Sequence, residues 1–168
     1  MFDAYIDIET TGLSWLDSEI TVVGIYLANS KGNRLEQLVG GDISQNNLQQ
    51  AVKGVSNIYT YNGSRFDLPF IRESLGVDLE TMASHHDLMY DCWRCNLRGG
   101  FKAVEQQLGI SRQLKGISGL DAIFLWQRYR DHGDQEALST LLKYNEEDVT
   151  NLKVLKEKLV NVGRLAGA

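Results

Sequence analysis

Asp7 and Glu9 stand two residues apart in the run Tyr5-Ile6-Asp7-Ile8-Glu9-Thr10-Thr11-Gly12-Leu13, which otherwise reads as an apolar strand. Strand side chains alternate between faces, so both acids point one way while Ala4, Ile6 and Ile8 fill the other face. Such a strand belongs inside a sheet with its apolar face covered. Two acids aimed together at its end are costly unless something positive lies between them. Their Cα atoms fall roughly 6–7 Å apart, a spacing at which two carboxylates can share a divalent cation or bracket a pair of them.

The rest of the chain supplies the other parts of a sheet. Residues 3–9 are followed by a loop at 14–18, a β-branched strand at 20–28, a turn at 29–33 and a returning strand at 34–39. Ser44 is placed to cap a helix reaching about residue 53, and 58–61 is a short buried strand. Three antiparallel strands, a helix and another strand predict a mixed sheet with a right-handed crossover. A helix beginning at or near Asp67 carries Pro69 in its first turn and ends at Gly76. Residues 87–89 read as a last strand. Helices then follow at 91–97, 101–108, 120–131 and 135–162, with 111–119 the most loop-like stretch. The expected fold class is α/β, a central mixed sheet of about five strands flanked by helices. At 168 residues, 43% of them hydrophobic and one a proline, the chain reads as one domain over 1–168.

Two further segments carry acids in unusual places. In Tyr59-Thr60-Tyr61-Asn62-Gly63-Ser64-Arg65-Phe66-Asp67 a buried strand runs through a glycine turn into a helix that opens with Asp67. Asp67 is either a helix cap or a third carboxylate at a strand's C-terminal end, where ligands of open α/β sheets gather. In the last helix Leu141, Asn145, Asp148, Leu152, Leu155 and Leu159 share one side, and all but Asn145 and Asp148 are apolar. Asp148 therefore sits on a buried stripe, with Tyr144 one turn before it. Glu146 and Glu147 fall off the stripe and read as solvated charges.

Asp-x-Glu followed by Thr-Gly, Asn-x-x-x-Phe-Asp and Tyr-x-x-x-Asp occur in that order from Asp7 to Asp148. Together they resemble the DEDD (DnaQ-like) superfamily of 3′-to-5′ exonucleases, whose fold is ribonuclease H-like. Tyr144, where another branch has histidine five residues before the aspartate, resembles the DEDDy branch, and within it the YprB-like group. The resemblance implies hydrolysis of phosphodiester bonds at single-stranded DNA or RNA 3′ ends, with Asp7, Glu9, Asp67 and Asp148 holding two divalent cations, Mg²⁺ or Mn²⁺. It implies that Tyr144 orients the attacking water, that Thr10, Gly12 and Leu13 line the slot for the terminal nucleotide, and that Asn62 and Phe66 flank the penultimate one. Ordinary packing is the other reading of Leu13 and Phe66, and a turn that of Asn62. Hard oxygen donors suit Mg²⁺ or Mn²⁺.

The net charge of −5 is unusual for a partner of nucleic acid, but two bound divalent cations bring it to about −1. Residues 94–115 form the most basic stretch, with Arg94, Arg98, Lys102, Arg112 and Lys115; this is a solvated face or a track for phosphates. The chain opens without a charged leader pattern, and no run approaches 18 apolar residues, so secretion and membrane insertion are not expected. Cys92 and Cys95 are too few for a disulfide framework and agree with a cytoplasmic location. With His85 and His86 they suggest zinc, but the second ligand pair of a finger is missing; a packed helix and loop or cap histidines are expected instead. Asp87 reads as a strand-end or N-cap residue. Two other functions fit less of the pattern: a ribonuclease H-type endonuclease, and a nucleic-acid-binding or polymerase-associated subunit with weak or lost nuclease activity.

Overall fold

The alternating strand that carries the two acids becomes the middle of the sheet in the computed structural model, which describes residues 1–166. Among the described residues, β1 (Phe2–Thr10), β2 (Ile20–Asn29), β3 (Gly32–Val39), β4 (Val55–Thr60) and β5 (Ser84–Asp87) form one sheet in the order β3-β2-β1-β4-β5. The first three strands are antiparallel, and β4 and β5 join parallel to β1 and to each other. The mixed sheet flanked by helices is thus the ribonuclease H-like arrangement expected of the chain.

Each face of the sheet buries a different set of side chains. Ala4, Ile6 and Ile8 pack with Ile25 under α1 (Gln45–Ala51) and α2 (Asp67–Leu75), where Leu48, Phe70 and Ile71 complete the core. The opposite face, which holds Asp7 and Glu9, is covered by α3 (Leu88–Arg94), α4 (Phe101–Leu108), α5 (Gly119–His132) and the long α6 (Gln135–Ala166). Leu141, Leu152, Leu155 and Leu159 of α6 are buried, as the helical spacing predicts. Full burial of a leucine stabilises by about 1.5–3 kcal/mol, so this stripe fixes the rotation of α6 about its axis. Asn145 and Asp148, on the same stripe, are thereby turned toward the sheet.

Asn145 determines how close α6 comes. Its side-chain amide donates to the Asp7 carbonyl at 3.2 Å, and its oxygen accepts from Gln37 Nε2 at 3.0 Å, while the same Gln37 amide also donates to Leu142 O at 2.8 Å. Gly24, paired with Asp7 across β1 and β2, leaves the space: a Cβ there would lie 2.1 Å from Asn145 Oδ1. The approach is possible only without a side chain at that position.

Several boundaries differ from the sequence reading. The last strand is Ser84–Asp87 rather than 87–89, because the Asp87 carboxylate accepts from Met89 N at 3.1 Å and starts α3 at Leu88. His85 and His86 therefore lie in β5, where His85 contacts Thr60 Oγ1 at 2.8 Å and His86 stacks on Tyr59 at 5.0 Å. Helix α1 stops at Ala51 and β4 starts earlier than residue 58; between them Gly54, at φ +79°, turns the chain. Helix α3 begins and ends earlier than 91–97, and Gly76 ends α2 in the left-handed conformation as expected.

Gly24→Ala should force Asn145 off the strand and destabilise the protein by about 1–3 kcal/mol. Urea unfolding followed by circular dichroism measures this; an unchanged midpoint would mean that the α6 approach is not constrained there.

Candidate metal centre and catalytic cleft

The C-terminal half of β1 delivers Asp7 and Glu9 onto the face beneath α6, and Asp148 reaches them from the helix. One carboxylate oxygen from each lies within 4.8 Å of the others. A register shift between Glu9 and Thr10 ends the regular pairing with β2 just beyond the acids and starts the loop to Leu13. Glu9 Oε1 is buried and has no hydrogen-bond partner among the described residues. An orphaned carboxylate oxygen inside a group of converging hard donors fits a divalent cation such as Mg²⁺ or Mn²⁺. Among the described residues, the cysteines and histidines assemble no such group.

Asp67 stands beside this trio rather than within it. The helix cap position is Phe66, which has no side-chain cap bond, and the Asp67 carboxylate instead accepts from Ile8 N at 3.0 Å. The pairing of β1 with β4 runs only from Phe2 to Tyr5, so Asp67 serves the Ile8 amide, which lies beyond that pairing. This fastens the start of α2 to the backbone between Asp7 and Glu9.

The electrostatics follow from four desolvated acids. Burial, followed by the charges of Asp148, Asp67 and Glu9, raises the Asp7 carboxyl well above the usual range. Glu9 is raised well above its usual range by burial and by Asp148, with the neighbouring Asn145 amide opposing. Burial also raises Asp148, against the pull of Arg112 and Lys102. Asp67 is pushed up to about 7, mainly by burial, with hydrogen bonds from Ile8 N and its own amide opposing. Burial is the first cause in each case, so the ionised acids are left short of compensating charge.

Two cations of the chain supply part of that charge. Arg112 donates to Asp148 Oδ1 and makes a two-pronged pair with Glu105, at 2.6 Å from Nε and 2.8 Å from Nη2. Lys102 Nζ donates to the Tyr144 hydroxyl at 2.5 Å. Tyr144 is buried, and that burial, with Asp148, Glu9 and Asp7 nearby, raises its pKa further. A phenol so placed stays protonated and can hydrogen-bond to a water beside the acids.

A cleft of about 410 Å³ opens over the acids, between the loop to Leu13, Phe66, Lys102 and the start of α5. Thr10, Gly12, Leu13 and Phe66 all line it. Leu13 is 86% exposed, so its side chain is not packed away. Thr10 Oγ1 donates to Gly12 O at 2.6 Å, shaping the loop, and Phe66 packs edge-on against Phe70 at 5.6 Å. Asn62 lies outside the cleft lining: at φ +62° it is a turn residue whose N–H donates to Asp87 Oδ1 at 2.8 Å.

Some residues around the site escaped the sequence reading. Glu147 is buried rather than solvated, because the loop 110–118 crosses that side of α6: its carboxylate accepts from Gln113 N at 2.6 Å and Leu114 N at 3.2 Å. Glu105 shares the stripe of α4 with Phe101, Val104 and Leu108, the same signal that singled out Asp148. Arg112 and Lys102 stood in the basic stretch with nothing local to separate them from solvated neighbours.

A family model described as the RNase_H superfamily matches residues 4–160. No curated protein is matched. Among solved structures, the chain is similar to a family B DNA polymerase from the hyperthermophilic archaeon Pyrobaculum calidifontis, with a TM-score of 0.74 and 20% identity. That likeness covers 95% of this chain and 24% of the polymerase, so the chain spans about a quarter of that protein's length. It is also similar to a nuclease described in its apo form, with a TM-score of 0.64 and 20% identity over 98% of this chain and 74% of that one.

A carboxyl raised to about 7 from 3.8 binds its proton more tightly in the folded state. Its contribution to stability is whole below about pH 4 and is lost as pH rises through about 7. In chelator, Asp67→Asn, which keeps the acceptor for Ile8 N, should therefore match wild type near pH 4 and exceed it by about 1–4 kcal/mol at pH 8. Denaturant melts at both pH values check this; an equal offset at both would contradict it.

Proposed function

The chain belongs to the RNase_H superfamily, and we propose that it is a metal-dependent 3′-to-5′ exonuclease of the DEDDy branch, acting on single-stranded DNA or RNA 3′ ends. One observation carries this reading: Asp7, Glu9 and Asp148 converge within 4.8 Å, with Glu9 Oε1 left without a partner, on the wall of an open cleft. Asp7, Glu9, Asp67 and Asp148 would hold two Mg²⁺ or Mn²⁺ ions. When bound, these supply a water of lowered pKa and stabilise the departing 3′ oxygen in an in-line displacement.

The chain's own residues do the rest. The Tyr144 hydroxyl, fixed by Lys102 at 2.5 Å, donates its hydrogen bond to the attacking water and orients it. Its raised pKa makes it a positioning group and not a base at neutral pH. Lys102 adds positive charge next to the scissile phosphate. The exposed Leu13 offers apolar surface to the terminal base and the half-buried Phe66 to the penultimate one, while the loop through Thr10 and Gly12 brings backbone close to the terminal sugar. Apolar contacts and backbone groups read no base identity, so the activity is expected to be indifferent to sequence. The fold likeness to a DNA polymerase segment and to a nuclease agrees with a nucleic-acid substrate.

With Mg²⁺ or Mn²⁺ the protein should shorten a 5′-labelled oligonucleotide stepwise from its 3′ end and leave a circular or 3′-blocked one intact. Asp7→Asn should abolish the activity, and Tyr144→Phe should lower kcat by about 10²-fold or more with little change in KM. Cutting of the circle would overturn exonuclease action in favour of an endonuclease. Wild type as inert as Asp7→Asn would overturn the enzyme reading altogether.

A further inference from the structure

A second cavity, of about 480 Å³, adjoins the catalytic cleft and plays no part in the chemistry above. It lies between α4 and the loop 110–118, and Lys102 lines both spaces, so one side chain separates them. Its size suits a small organic ligand.

The walls are of two kinds. Ile110, Leu114 and Ile117 form an apolar side. Lys102, Arg112 and Lys115 bring three positive charges, with Lys115 exposed at the rim. The one acid in the lining, Glu105, is already matched: Arg112 takes both of its oxygens, and Asn151 Nδ2 donates to Oε1 at 2.9 Å. Arg112 also donates to Asp148, so its charge answers two carboxylates. Its side chain is 9% exposed, and Nη1 is buried without a partner among the described residues. A cavity lined by two lysines that form no ion pair among the described residues, with one greasy wall, calls for a ligand with an anionic end and a flat apolar end.

We propose that this cavity binds a nucleoside monophosphate, with the phosphate held by Lys102 and Lys115 and the base against Ile110, Leu114 and Ile117. This rests on the exonuclease reading, in which each turnover releases a nucleoside 5′-monophosphate next to Lys102. The cavity then receives the product on its way out, and product accumulation slows the enzyme through this site. A ligand here touches Arg112, the partner of Asp148, so occupancy reaches the catalytic acid through one guanidinium.

The test is an NMR titration of the full chain with adenosine 5′-monophosphate in excess EDTA, where the cation-free acids repel phosphate. The amides of residues 110–117 should shift saturably, adenosine and inorganic phosphate should each bind more weakly, and Lys115→Glu should weaken binding at least about fivefold. No shift at millimolar nucleotide, shifts confined to residues 9–13, or equal affinity in Lys115→Glu would each overturn the proposal. So would a cavity that responds to an oligonucleotide but not to the monophosphate, since the space would then follow the substrate strand. The titration involves no cleavage: a nucleotide-filled cavity in an inert protein would overturn the exonuclease reading alone, and an active protein with an unresponsive cavity would overturn this proposal alone.

Discussion

The burial of mutually repelling carboxylates at the end of β1 is the constraint to which the surrounding structure answers. Asp7 and Glu9 are forced to one face by strand geometry, and Asp148 is brought against them because the leucines of α6 allow that helix one rotation. Burial of these acids, with their repulsion added, costs folding energy in the absence of cations, and burial is the first reason each of the four is shifted toward its protonated form. Local positive charge and hydrogen bonds offset only part of this. Arg112 answers Asp148, Lys102 stands over Tyr144, and the Ile8 amide answers Asp67. A site built with this deficit is suited to take up divalent cations.

The close seat of α6 depends on a polar contact inside an otherwise apolar layer. Asn145 joins β1, β3 and the helix itself, and Gly24 makes the room. On its other side α6 holds the loop 110–118 through Glu147, while Arg112 in that loop grips both Glu105 and Asp148. The acid cluster, the helix and the loop are therefore one hydrogen-bonded unit. A change at Glu105 reaches Asp148 without touching substrate, and the cavity under the loop shares the same arginine.

Much of this was legible in the chain because the periodic signals were long. The alternation in β1 and the leucine stripe of α6 each span enough residues to fix a face, and the acids interrupting them were found by that interruption. Asp67 was harder. It stands at the start of a helix, where aspartates are common, and only its bond from the Ile8 amide separates its role from that of a cap. Glu147 was misread because helical periodicity reports one buried face, and α6 is covered on a second side by a loop with no periodicity of its own. Arg112 and Lys102 look like any surface cation in sequence; their roles come from partners at separations of 36 and 42 residues. The end of the sheet shifted because Asp87 caps α3 while also accepting from the turn at Asn62 and Ser64, bonds that fix the strand's last residue.

On the proposed function, the deficit of positive charge among Asp7, Glu9, Asp67 and Asp148 is met by two divalent cations. Crystals soaked in Mn²⁺ and measured for anomalous scattering locate the ions directly. Two peaks about 3.5–4 Å apart are expected, both within coordination distance of these four carboxylates, with one bound to Glu9 Oε1. No peak there at saturating Mn²⁺, or a lone ion held elsewhere on the chain, would contradict it.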